Sequence, residues 1–396
     1  MKRLKKFLKW TGIVLLLVIS ILLLTITFLT WRATRQVEAR LAPLREAGKP
    51  ISIQELQPSA VPDQQNSAKI VERHSDALKS FDRQLADATR DIEAETELDA
   101  GRIRVAISIA QEFPDLYQAL RDASTLPAYQ LDLDYSLDPS SFINQSLNPP
   151  DSPRTIIRAL YGHGLMSLAS GMTDEAVEDA IAILNWSQHV AQQPLIINQM
   201  VAAACYEQGV KLSAKCLYAG DTTQANRVRL LKACSDDSTM LAHFSTTIDT
   251  ERAFGISSFE SFPSIMLGEL AAYLDTISEI ETIMKMPTGI APNTSRESGF
   301  GASVWVALKQ TLLGLRREQA LSRAMQILAA WQDAGGDIGI TLADLDLPEA
   351  VTIDPYAGSQ MKLKVVGQSI KIYSVGMDMV DDDGSIDDDR DIGIAP

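Results

Sequence analysis

Apolar positions along this chain follow three spacings, and each predicts a different kind of element. Between Trp10 and Trp31 they are unbroken: 22 residues carry no charged side chain. As a helix, the run TGIVLLLVISILLLTITFLT rises ~1.5 Å per residue to roughly 30 Å, the thickness of a bilayer core. From Ser67 to about Ser124 apolar residues recur at three and four (Ile70, Ala77, Leu78, Phe81, Leu85, Ala88), the period of an amphipathic helix. Pro114 interrupts this stretch at a place that suits a first helical turn. From Met361 to Val375 the pattern alternates. Met361, Leu363 and Val365 face one way with Ile370 and Ile372, Lys362, Lys364 and Lys371 face the other, and Gly367 supplies the positive φ of a two-residue hairpin turn.

The helical period dominates the middle of the chain. A helix over Arg154–Ser170 is stopped by Gly171, and Thr173 can cap the next, with Asp174 and Glu175 suitably placed in its first turn. A third helix spans about Leu195–Ala219 and closes at Gly220. Further helices are expected over 224–233, 236–253, 263–286 and about 302–334. The string Gly171-Met-Thr-Asp-Glu-Ala176 returns 49 residues later as Gly220-Asp-Thr-Thr-Gln-Ala225, which resembles a degenerate tetratricopeptide-type hairpin. Stacked hairpins of this kind bury a shared core and present a concave face to partners. Residues 126–152 read as an irregular stretch that packs through Tyr129, Leu131, Leu133, Tyr135 and Phe142.

These spacings predict a mainly α protein with one N-terminal transmembrane helix, a stacked helical-hairpin body and a small C-terminal α+β head on an antiparallel sheet. The expected divisions are a basic start and anchor at 1–31, an extended linker at 32–66 with four prolines from Pro43 to Pro62, a helical domain at 67–286 and a head at 302–396. The Gly/Pro/Ser segment MPTGIAPNTSRESGFG lies between the last two. The apolar run is too long for a signal peptide and has no Ala-x-Ala site after it, so it reads as an uncleaved anchor. Lys2, Arg3, Lys5, Lys6 and Lys9 precede it, which places the N-terminus in the cytoplasm and the bulk of the chain outside a bacterial inner membrane, in the periplasm.

Charge and cysteines narrow the chemistry. The net charge is −15, and Asp378–Asp391 contributes −7 of it through eight aspartates and one arginine. An acidic exported body excludes nucleic-acid binding, which needs a basic stripe. Cys205, Cys216 and Cys234 form no disulfide framework and read as small buried apolar residues. The four histidines, His74, His163, His189 and His243, belong to no H-E-x-x-H or close ligand pair, and no P-loop, G-x-S-x-G or G-x-G-x-x-G occurs. His163, between Gly162 and Gly164, is the most suggestive, and a packed helix–helix contact accounts for it.

The C-terminal order is long helix, acidic loop, Asp354-Pro355-Tyr356-x-Gly358, two strands, Tyr373-Ser374-Val375-Gly376-x-Asp378, acidic tail and Asp391-Ile392. Over about 95 residues this resembles the globular half of the major pseudopilins of type II secretion, with their D-P-[WY]-G entry and Y-S-x-G-x-D-G strand end. The resemblance implies a helix packed on a small antiparallel sheet and a calcium ion in the loop between the last strands, held by serine or backbone oxygens and aspartates. Carried over by position, Ser374, Asp378 and Asp391 match that pattern. Met379 stands where the family has glycine, and an aspartate-rich loop replaces a glycine-rich one. The prepilin signature G-F-T-L-x-E is missing at the N-terminus, so the chain is similar to a membrane-tethered helical protein with a pseudopilin-like head, as in envelope proteins of planctomycete-type bacteria. From composition alone, seven carboxylates between Asp381 and Asp391 suit a hard cation, although the register fails that of an EF-hand. On composition alone a solvated acidic end is the plainer account, and it is the resemblance that brings calcium level with it.

The reading is a non-enzymatic, single-pass envelope protein with a scaffold or protein-binding role and a protein partner. No small-molecule substrate is identified. Its head is expected to take calcium through Ser374, Asp378, Asp381, Asp383 and Asp391. The alternatives are an exported hydrolase with its site in the helical body, and a pseudopilus-associated secretion component.

Overall fold

The computed structural model describes residues 2–89, 108–109, 111–147, 152–234, 236–260, 266–286, 300–386 and 390–396. Its helices are α1 (Lys2–Glu46), α2 (Ser67–Arg73), α3 (Ser75–Thr89), α4 (Pro114–Ser124), α5 (Pro139–Leu147), α6 (Pro153–Ala169), α7 (Thr173–Ala191), α8 (Ile196–Tyr218), α9 (Gln224–Ala233), α10 (Asp237–Glu260), α11 (Leu267–Met284), α12 (Phe300–Asp333) and α13 (Glu349–Thr352). Strands β1 (Lys362–Val366), β2 (Ser369–Ser374) and β3 (Ile392–Ile394) form one sheet in that order. The protein is mainly α, with one N-terminal helix long and apolar enough to cross a membrane and a small antiparallel sheet near its C-terminus.

Helix α1 does not end with the apolar run. It continues to Glu46 and stops at Gly48 (φ 66°), where Gly48 and Lys49 N–H groups bond back to Arg45 and Leu44. Residues 32–46 therefore differ from the extended linker expected of them. Pro43 falls in the last turns and costs the helix one N–H, while Val37, Leu41 and Leu44 recur at helical spacing and find an apolar surface. Val37 and Leu41 are buried in the core, and Arg40 clamps Asp275 of α11 through two 2.7 Å hydrogen bonds. Lys49 follows with 2.8 Å contacts to both carboxylate oxygens of Asp249. Beyond Gly48 the chain is irregular apart from single 3-10 turns at 54–56 and 63–65, and it too lies on the body. Ile53, 1% exposed, joins Tyr135, Phe142 and Leu195 in a small separate core. That core realises the packing expected of residues 126–152, part of which forms α5.

In the body, α7 is central, and α6 and α8 pack along it. Two glycines set the closeness: a Cβ at Gly164 would lie 2.5 Å from Leu212, and one at Gly209 2.8 Å from Leu184. Gly171 and Gly220 stop α6 and α8 with positive φ, as expected. Thr173 is not a cap. It is the first residue of α7, and its hydroxyl donates to Asp221 at 2.7 Å, while Asn226 donates to Asp174 at 2.6 Å. The two similar strings thus lie side by side, joined by polar contacts.

Helix α12 packs on α8 and α11 along one part of its length and on β2 and β3 along another. Hairpin register follows the alternation: Leu363 pairs with Ile372, Lys364 with Lys371 and Val365 with Ile370. The third strand, β3, lies against β2, and Gly393 is there because a Cβ would sit 2.1 Å from the Ile372 carbonyl. One apolar core runs from Val37 on α1 to Ile394 on β3. The boundary expected within 287–300 falls almost wholly outside the described residues.

Candidate functional site

The head is organised by the carboxylate that opens the D-P-Y motif, to which the sequence reading assigns no role. Asp354, fully buried, follows a short helix and opens the D-P-Y turn. Its Oδ1 accepts from the Tyr356 N–H at 2.8 Å, the Ala357 N–H at 3.3 Å and the Ser374 hydroxyl at 2.8 Å, and its Oδ2 accepts from the Val375 N–H at 2.9 Å. Four donors around one buried carboxylate compensate much of its lost hydration. Ser374 in turn accepts from the Gly376 N–H at 3.2 Å. The D-P-Y and Y-S-x-G strings, twenty residues apart, are therefore two halves of one buried knot. Ser374 belongs to this knot.

After β2 the acidic segment turns back across the outward face of the hairpin. The lysines expected to face solvent do point away from α12, and they meet this segment. Lys362 lies 3.4 Å from Asp381, Lys364 pairs with Asp383, and Lys371 donates to the Gly384 carbonyl at 2.6 Å. Tyr373 adds a 3.1 Å hydrogen bond to Asp381, and Arg390 reaches Asp382 at 3.4 Å. For Asp381, a slight burial penalty is outweighed by the Tyr373 hydroxyl, the Asp383 N–H and Lys362, which hold it below the usual carboxylate range. Asp378 accepts from the Val380 N–H at 3.0 Å. Two non-glycine residues here have left-handed backbone, Met379 (φ 59°) and Asp383 (φ 62°), so Met379 occupies a position glycine would take without strain.

Asp391 is different. It is 1% exposed; its Oδ2 accepts from the Gly384 and Ser385 N–H groups at 2.8 and 3.1 Å, and its Oδ1 is buried without a hydrogen-bond partner among the described residues. Gly376 is pressed against the Arg390 carbonyl next to it, where a Cβ would come within 2.2 Å. An orphaned carboxylate oxygen under a loop rich in aspartates has the chemistry a hard cation seeks. The five residues expected to bind calcium do not converge, however. Ser374 lies in the Asp354 knot, Asp381 and Asp383 lie on lysines, Asp378 holds its own turn, and Asp391 alone keeps a free buried oxygen. No group of three His, Cys, Asp or Glu residues is arranged to hold a metal ion among the described residues.

The helical body contains a second charged cluster that the sequence did not disclose. Asp179 on α7 is fully buried and takes Arg121 Nε on Oδ1 at 2.7 Å and His163 Nδ1 on Oδ2 at 2.6 Å. That short contact requires a proton on Nδ1, so Arg121 Nη2, 3.3 Å from the same nitrogen, is a neighbour and not its donor. Arg121 continues to Glu175 at 2.6 Å, and Tyr117 stacks on the His163 ring at 4.2 Å between centroids. Helices α4, α6 and α7 are tied together here. No serine, threonine or cysteine is hydrogen-bonded to His163 among the described residues, so the pair lacks the nucleophile of a hydrolytic triad.

Ser67 and His189 approach to 3.4 Å, yet both are buried, Ser67 completely, and Ser67 donates to the Ala123 carbonyl at 2.7 Å. Burial drives the His189 imidazole down to about 4. A groove of about 270 Å3 between α4 and α7 is lined by Arg121, Glu175 and Glu178, and a recess with room for about one water, ~10 Å3, lies over Glu318, Tyr206 and His243. Burial alone raises the Glu318 carboxyl to about 8. The groove lies at the lower end of the roughly 300–1,000 Å3 of an ordinary small-molecule site, and the recess far below it.

The chain matches no protein-family model, no curated protein and no solved structure.

Proposed function

We propose that this protein is a non-enzymatic scaffold of the bacterial cell envelope: a single-pass anchor in the inner membrane, N-terminus in the cytoplasm, carrying a helical body and a pseudopilin-like head in the periplasm for a protein partner. One observation carries the reading. Helix α1 leaves its apolar span without a break and docks on α11 through Val37, Leu41 and the Arg40–Asp275 clamp, so the body is held in a fixed attitude to the anchor. Such a coupling suits a part that presents a surface at a set position.

The buried His163–Asp179 and Ser67–His189 pairs favour structure over hydrolysis, since one has no nucleophile partner and the other no access. The likeness of the head to pseudopilins is supported by the Asp354–Ser374 contact that joins its two motifs. The proposed division is a helical domain at 67–286 and a head at 302–396, with α12 packing on both. Calcium is proposed at Asp391, whose Oδ1, buried and without a hydrogen-bond partner among the described residues, offers it a ligand.

Topology is tested by a reporter fused after Pro396. An enzyme active only in the periplasm should be active there, and the mature chain should retain Met1–Thr30. A soluble mature protein beginning beyond Trp31 would overturn the anchor.

A further inference from the structure

We propose that the membrane-proximal end of the body, formed by the first turns of α11 and α12, rests on the headgroup layer of the bilayer, so that the lipid surface is a second docking partner besides the anchor span. The inference rests on the reading of α1 as an anchor and follows from the register of three helices. Arg40 on α1 meets Asp275, and Lys49, three residues beyond the end of α1, lies 3.9 Å from Glu281, so the C-terminal end of α1 points toward the C-terminal half of α11 and the two run parallel.

From Arg40 back to Trp31 is nine residues, roughly 13 Å; from Asp275 back to Leu267 is eight, roughly 12 Å. Leu267 therefore lies at the level of Trp31, and an aromatic ring at the end of an apolar span marks the headgroup level.

Helix α12 reaches the same level. Arg316 donates to the Met286 carbonyl at 2.6 Å, just past the end of α11. Arg323 meets Asp237 at the start of α10, while Arg252, further along α10, meets Glu281. Gly255, three residues beyond Arg252, lies against Tyr273, eight residues before Glu281, so α10 descends toward the membrane end. With Arg316 beside Met286 and Arg323 at the start of α10, α12 rises from it. Sixteen residues back from Arg316, about 24 Å, puts Phe300 within one helical turn of the level of Leu267.

The burial along α1 agrees independently. Thr30 and Ala33 are half-buried and continue the stripe of Val37 and Leu41, so the body covers α1 down to the edge of its apolar span. A body standing off the bilayer would leave Thr30 bare. Leu267 and Met266, half-buried at the tip of α11, are the side chains at headgroup depth, and Val306, 59% exposed, lies one to two turns further up α12.

The test uses the full chain in phosphatidylcholine bilayers whose lipids carry a quencher at the headgroup or upper acyl chain, with single fluorophores on introduced cysteines. Gly268→Cys is the reporting site, because it is exposed and a Cβ there meets nothing within 4 Å. Lys285→Cys, about 25 Å further up α11, is the distal control, and Leu22→Cys reports insertion of the anchor. The three native cysteines are buried and do not compete for label. The expected result is several-fold stronger quenching at 268 than at 285, reduced when Arg40→Ala loosens the clamp. Quenching at 22 with equal, weak quenching at 268 and 285 would overturn the surface contact and leave the anchor standing. No quenching at 22 would overturn the anchor, and the surface contact with it.

Discussion

The Ser374 hydroxyl donates to Asp354 at 2.8 Å across twenty residues of sequence, and both side chains are fully buried. Together with the Val375 N–H, which donates to the other Asp354 oxygen at 2.9 Å, this contact ties the turn that enters the hairpin to the turn that leaves it. Removing the carboxylate strands four donors, whereas removing the hydroxyl costs two bonds, leaving the Gly376 N–H without its acceptor and the Asp354 carboxylate served by three other donors. Asp354→Ala should therefore cost roughly 3 to 5 kcal/mol and Ser374→Ala about 1 to 2 kcal/mol. Denaturant titration of the full chain in detergent, read at the sheet, checks this. The double variant should fall short of the sum, because the two side chains act on each other.

Much of this architecture was legible in the sequence, and the exceptions have physical causes. The anchor span, the glycine stops at 171 and 220 and the hairpin register are local patterns, set by unbroken apolarity, positive φ and alternation. Asp179 was not legible: its partner Arg121 is 58 residues upstream, and nothing in the local spacing marks a carboxylate as fully buried. Helix through 32–46 was hidden by Pro43, which reads as a breaker although it falls where a helix already propagated from the membrane can lose one bond. The outward lysines of the hairpin were read correctly as facing away from the core, but their acidic cover depends on a loop that no period describes. Of the expected ion ligands, only Asp391 shows a free buried oxygen, and Ser374 turned out to serve the knot.

Met379 holds φ 59° where glycine would be unstrained. Met379→Gly should raise stability by about 1 kcal/mol, since the side chain is half-exposed and leaves little packing behind. A fall in stability would mean that Met379 makes a contact that outweighs its backbone.

Glu318 gives the body a pH dependence of definite sign. Burial raises its carboxyl from 4.5 to about 8 in the folded chain, so the stability it contributes is full below about 4.5 and is lost as pH rises through about 8. Glu318→Gln, which keeps the shape and never ionises, should flatten the stability profile over that window and be the more stable protein at its alkaline end, by on the order of a few kcal/mol. Parallel profiles for the two proteins would show that Glu318 ionises freely.

Calcium binding at Asp391 predicts that millimolar calcium raises the melting temperature of the full chain by a few degrees and that chelator reverses it, since an ion bound only to the folded form stabilises by mass action. Asp391→Asn should remove the shift, while Asp382→Asn, whose carboxylate lies on Arg390, should retain it. A shift insensitive to Asp391, or no shift, would leave Lys362, Lys364 and Arg390 as the counter-charges of the loop among the described residues.

The rigid junction of anchor and body is most directly tested by the distance between them. Spin labels at Ala39→Cys on α1 and Ser278→Cys on α11, both exposed positions, should give one narrow distance distribution by double electron–electron resonance in lipid bilayers. A broad distribution extending over several nanometres would show that the body swings on a flexible stalk, and would contradict a fixed attitude to the membrane.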